Sequence, residues 1–173
     1  MFNFPLINPF MNFFMFNFYP QYNNYGYYNF TPNSIFQHNT YNKAKADILV
    51  NNALAGLPLH EENPPMCAKY VKNAIVRSGL GVYVNGNGED TKYMLRNNAN
   101  FKEVKVLAKD MSKMPKGTIF VYDANEPVAY ADGTSGIIGR NGHVTFKYTN
   151  NKSVSDRIED LPLSNHAYAF IPV

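Results

Sequence analysis

Several things a protein can be built on are scarce in this chain. It has a single cysteine, Cys67. No intrachain disulfide can form, and a four-ligand zinc site is hard to assemble around one thiol. No H-E-x-x-H or similar spacing links its histidines to acidic residues, so no metal and no other cofactor is expected. No apolar run reaches the ~20 residues needed to span a bilayer. Lys and Arg form no dense cluster, which argues against a nucleic-acid partner. The formal charge of +3 is mild, compatible with an anionic polymer without pointing to one.

Charge is also missing locally. Before Lys43 there is no Lys, Arg, Asp or Glu. That stretch is crowded instead with Phe, Tyr and Asn. Asn and Pro interrupt every apolar run, as in Phe2-Asn3-Phe4-Pro5 and Phe18-Tyr19-Pro20. A secretory signal needs a basic start and an unbroken apolar segment, so none is read here. Residues 1–40 read as a disordered, low-complexity Phe/Tyr/Asn-rich tail, with self-association or recognition by a delivery partner as the other reading. Residues 41–173 read as one globular domain.

Within that domain, helices come first. Lys43–Leu54 carries good helix formers and stops at Gly56. Asn63 can cap a second helix, with Pro64 at its first position, running to Ser78 and stopping at Gly79. Along it Cys67, Val71, Ala74, Ile75 and Ser78 recur at spacings of three and four and share a face. Asp90–Asn97 is a third, short helix. Strands are expected at Val104–Leu107, Gly117–Tyr122, His143–Tyr148, Ser153–Ile158 and Ala167–Ile171. Helices followed by an antiparallel meander make an α+β fold.

A lone cysteine is either a small buried side chain or a nucleophile. Near a helix N-terminus the partial positive charge favours thiolate over thiol. A nucleophile needs a base and a group to orient that base. His143, in Gly142-His143-Val144, and Asp156, in Ser155-Asp156, supply one each. If Asn150-Asn151 form a two-residue hairpin loop, Thr145 lies opposite Asp156 and His143 opposite Ile158. His143, Thr145 and Asp156 then share a face of the sheet. A helix packed on that face brings Cys67 to His143, and the Cys67 N–H is a natural oxyanion donor. A one-residue slip in the turn breaks this arrangement. Tyr70, one turn after Cys67, is a candidate substrate contact. His60 reads as a solvated loop residue, and His166 lies in a turn beside Ser164-Asn165.

The helix-borne Cys67-Ala68-Lys69-Tyr70-Val71, the strand Pro115–Tyr122, Gly142-His143-Val144 and the later Ser155-Asp156 together resemble the NlpC/CHAP-type cysteine peptidase and amidase superfamily. Type VI secretion amidase effectors are similar. The resemblance covers roughly residue 63 onward. It implies a papain-like fold and cleavage of amide bonds in peptidoglycan stem peptides, by an endopeptidase or an amidase. By the same resemblance Cys67 is nucleophile, His143 base and Asp156 the third residue, and the place of action is outside the cytoplasm or in the cell envelope. A longer connection between Tyr122 and His143 departs from the family pattern. Two other readings use the same residues: an inactive cell-wall or assembly-binding module, and a cysteine-dependent transferase.

Overall fold

The computed structural model describes residues 40–61 and 63–173. The Phe/Tyr/Asn-rich segment, with its expected self-association, lies outside the described residues apart from Thr40.

Helix α1 (Lys43–Ala55) is capped by Asn42, whose Oδ1 accepts from the Lys45 N–H at 3.1 Å. Ala46, Leu49, Val50 and Ala53 make its buried stripe, the spacing of one helix face. Helix α2 (Cys67–Arg77) buries Val71, Ala74 and Ile75 as their spacing predicts, and Lys72 as it does not. It ends where Gly79 donates to Val76 and Leu80 to Ile75, a Schellman closure. Its start differs from expectation. Neither Asn63 nor Pro64 is helical, and the helix begins at Cys67 with no capping side chain on Met66. Helices α3 (Thr91–Arg96) and α4 (Ala108–Met111) are short.

The strands among the described residues are β1 (Phe101–Val104), β2 (Ile119–Tyr122), β3 (Pro127–Ala129), β4 (Ser135–Ile137), β5 (His143–Lys147), β6 (Lys152–Val154), β7 (Ile158–Asp160) and β8 (Tyr168–Pro172). Six of them form one sheet in the order β1-β8-β2-β5-β6-β7, every neighbouring pair antiparallel. This is α+β, as expected, but not a simple meander: β8 inserts between β1 and β2. The first strand also lies earlier than the expected Val104–Leu107. Strands β3 and β4 pair separately, within the long connection from Tyr122 to His143.

Both faces of the sheet are covered. Ile119, Val121, Val144, Phe146, Val154 and Phe170 pack with Leu49, Val50, Val71 and Ile75 of the two long helices. Alternate residues Phe120, Tyr122, Ala169 and Ile171 pack on the other side with Val104, Met111, Val128, Ile138 and Leu161. Each large apolar side chain taken out of water this way contributes ~1.5–3 kcal/mol. With period-two alternation, the sheet therefore offers β5 one face toward the helices and one toward the second layer.

Two differences near the expected site have a common cause. In the β5–β6 connection Tyr148 N–H donates to Lys152 O at 3.0 Å, so three residues, Thr149–Asn151, close the hairpin. Lys147 pairs with Ser153 and Phe146 with Val154, one residue away from the expected register. The expected single strand from Ser153 to Ile158 is also broken. Ser155 N–H donates to Arg157 O at 2.9 Å, the chain reverses, and β7 returns along β6 with Ser153 opposite Glu159. Ser, Asp and flanking polar residues favour such a reversal because their side chains bond the local backbone.

Candidate active site

Cys67 is the first residue of α2, half-buried at the edge of the helix–sheet core. His143 is the first residue of β5, paired across the sheet with Tyr122. Val144 and Phe146 face the helices, so His143 belongs to the opposite face; α2 does not pack on the His143 face as expected. The ring nonetheless lies close enough to the Cys67 thiol for the two side chains to interact. The Tyr122 ring lies 5.9 Å from the imidazole, tilted by 31°. The Tyr122 hydroxyl is fixed by donating to Pro162 O at 2.6 Å.

The His143 backbone is positioned by a close approach of two glycine-containing loops. Gly142 adopts φ 67°, in the left-handed region where a side chain is disfavoured. A Cβ there would lie 2.6 Å from both Glu89 N and Tyr122 O. From the facing loop, a Cβ on Gly88 would lie 2.8 Å from His143 N. Glu89 N–H donates to Asn141 O at 3.3 Å, closing the contact. The Gly86-Asn87-Gly88 loop is thus a backbone spacer beside the histidine.

The carboxylate on His143 is Glu159, not Asp156. Glu159 Oε1 lies 2.7 Å from His143 Nε2. The slip in register explains the exchange. Counting through Lys147–Ser153 and Ser153–Glu159 puts Glu159 on the face of His143, while Asp156 falls in the reversal between β6 and β7. Asp156 is buried and does something else: its Oδ2 accepts from the Met66 N–H at 2.7 Å, immediately before Cys67. A carboxylate there satisfies a donor at the head of α2 and complements the helix dipole. Ser155 Oγ stands 3.0 Å from both Asp156 Oδ1 and Glu159 Oε1. Its single proton serves one of them at a time. A polar chain thus runs from the head of the cysteine helix, through Asp156, Ser155 and Glu159, to the imidazole.

Burial alone would lower the His143 pKa. The hydrogen bonds to Cys67 and Glu159, together with the charges of both groups, outweigh it and push the value up to about 10. The imidazolium is therefore the favoured form at neutral pH. His143 and Glu159 side chains retain 15% and 17% exposure, so the pair lies just under the surface. Since Nε2 faces Glu159, Nδ1 is the nitrogen that addresses Cys67. Arg157 approaches the same carboxylate more loosely, Nε to Oε2 at 3.9 Å.

Tyr70 lies one turn along α2, half-buried, with the Lys69 ammonium 5.2 Å from its ring centre. His60 and His166 are exposed. Among the described residues, no group of three or more His, Cys, Asp and Glu is placed to hold a metal, and no helix is long and apolar enough to cross a membrane. Sequence reasoning missed Glu159. The available signal was the polar Ser155-Asp156-Arg157 triplet, a turn signature inside an apparent strand.

No protein-family model and no curated protein matches the chain. Among solved structures its fold is similar to a chain of the native type VI effector–immunity complex Tae3–Tai3 from Ralstonia pickettii. The TM-score is 0.51 at 17% identity, over 74% of this chain and 98% of that one. At this identity the likeness is one of fold.

Proposed function

We propose that this chain is a cysteine hydrolase cleaving amide bonds in peptidoglycan stem peptides. Cys67 is the nucleophile, His143 the acid and base, and Glu159 the residue that orients His143. One observation carries the reading: a half-buried imidazole bonded to a carboxylate and standing beside the only thiol in the chain, which acts on its pKa. That is the arrangement covalent acyl transfer requires. The peptidoglycan substrate rests on the family resemblance and is supported by a fold similar to a type VI effector–immunity complex.

In the reaction the Cys67 thiolate adds to the amide carbonyl carbon. The carbonyl oxygen takes the negative charge, stabilised by the Cys67 N–H, one of the first-turn donors without an intrahelical acceptor. His143 passes its Nδ1 proton to the departing amine as the C–N bond breaks, leaving a thioester. A water then gives His143 a proton while its oxygen attacks the thioester. The acid product leaves and the thiolate–imidazolium pair is restored. Glu159 keeps the Nε2 proton and the ring plane fixed through both halves. Tyr70 is the proposed substrate contact beside the thiol. Delivery by a secretion system and neutralisation by an immunity-type protein follow from the same reading, with residues 1–40 as the segment a delivery partner would read.

The test is digestion of purified peptidoglycan, with fragments weighed by mass spectrometry. New amine and carboxylate ends are expected with the native chain and none with Cys67→Ala or His143→Ala. Cleavage by a folded Cys67→Ala variant would overturn the mechanism. Binding without cleavage by the native chain would favour the binding-module reading.

A further inference from the structure

Lys72 is a lysine where the helix pattern calls for an apolar residue. It lies on α2, five positions after Cys67, and is 1% exposed. Burying an ammonium is costly unless it is bonded, and a methionine would fill the same space more cheaply. The ammonium donates to Gly86 O at 2.8 Å and lies 6.0 Å from the Tyr83 ring centre. Burial lowers its pKa, opposed by the charges of Asp90 and Cys67.

Gly86 begins the loop that touches the histidine. Asp90 Oδ2 accepts from the Asn87 N–H at 2.8 Å, and Thr91 N–H donates to Gly88 O at 3.2 Å. These bonds make residues 86–90 one rigid bend. Its Gly88 abuts the backbone of Gly142 and His143, and Ala124 N–H donates to Glu89 Oε2 at 3.0 Å. One end of the bend is therefore tied to the cysteine helix and the other pressed on the histidine strand.

We infer that Lys72 is a positioning residue: its buried ammonium ties the Gly86–Asp90 bend to the nucleophile's helix and so sets the distance between Cys67 and His143. The inference deepens the proposed hydrolase, and rests on it only for the catalytic readout.

Lys72→Met keeps the length and the apolar stem. Gly86 is exposed, so its carbonyl can turn to water and the fold should survive. Amide exchange at Gly86–Asp90 should speed up, and exchange in β2 and β5 should not. On peptidoglycan, kcat should fall about tenfold with KM little changed, because displacement of reacting groups costs rate rather than ground-state binding. Without substrate, iodoacetamide should alkylate Cys67 about threefold to tenfold more slowly at pH 7, because the thiol is no longer held at its distance from the imidazole base. A second variant, Asp90→Ala, releases the same bend from its other side and should reproduce the exchange and kcat changes. Unchanged exchange and unchanged alkylation in Lys72→Met would overturn the inference. If the native chain leaves peptidoglycan intact, the hydrolase reading fails, while exchange and alkylation still decide the role of Lys72.

Discussion

Glu159 holds His143 at 2.7 Å from a position 16 residues further along the chain, and it does so because the backbone reverses at Ser155–Arg157. Asp156, inside that reversal, holds the other partner instead, through the Met66 N–H. Two carboxylates three residues apart thus hold opposite sides of the candidate site. Their removal should have different consequences.

Glu159→Gln keeps the size of the side chain and removes its charge. Turnover should fall by about 10² or more, since base catalysis typically contributes 10²–10⁴-fold. The melting temperature should change little by comparison. Asp156→Asn should show the reverse emphasis, losing about 1–3 kcal/mol for a buried charged acceptor of a backbone donor. Its turnover should fall less than that of Glu159→Gln. Steady-state kinetics and denaturant titration on the two variants check the contrast.

The pH dependence follows from the same contact. The folded value for His143, about 10, lies above the ordinary 6.5. Stabilisation of the imidazolium is thus complete below about pH 6.5 and is lost as pH rises through about 10. The alkaline limb of kcat/KM should sit high in the native protein. In Glu159→Gln it should move down by about one unit or more. A pH–rate profile on a soluble stem peptide measures this, and an unmoved limb would contradict the role given to Glu159.

Gly142→Ala should be severe for its size. The added Cβ would meet Glu89 N and Tyr122 O at 2.6 Å, and a left-handed backbone with a side chain costs a further ~1–2 kcal/mol. A loss of at least ~2 kcal/mol is expected. Any folded fraction should also turn over slowly, because His143 follows directly. Thermal melts and kcat on the same sample test both statements.

Lys147 should respond to pH in the opposite sense to His143. It is buried on β5, its ammonium donating to Thr149 O at 2.7 Å, and burial pushes its pKa down to about 8. A lysine whose folded value lies below its unfolded value favours unfolding while protonated. Lys147→Met should therefore stabilise the protein at pH 7, by about 1–3 kcal/mol. The gain should shrink as pH rises from about 8 toward 10.5. Melting temperatures of both forms across that range give the difference directly.

Local features of the sequence translated well into structure. The spacing of Val71, Ala74 and Ile75 gave a real helix face, Gly79 marked its end, and Cys67 lies at its head beside His143. What failed was long-range or depended on one residue. Asn150-Asn151 looked like a two-residue loop, but Thr149 joins it, and a single step exchanges the two faces of a strand. That step moved Asp156 away from His143 and let Glu159 in. The insertion of β8 between β1 and β2 left no local trace, because pairing partners distant in sequence do not alter periodicity. The buried Lys72 was invisible for a related reason: its bond to Gly86 O depends on how the chain folds back between them.

Strand β8 pairs with β1 on one side and β2 on the other. During synthesis, β1 and the β2-β5-β6-β7 ribbon leave the ribosome with no partner in common. Only the emergence of residues 168–172 can unite them. Assembly of this sheet is consequently a late event, completed after Cys67, His143 and both carboxylates have already been translated.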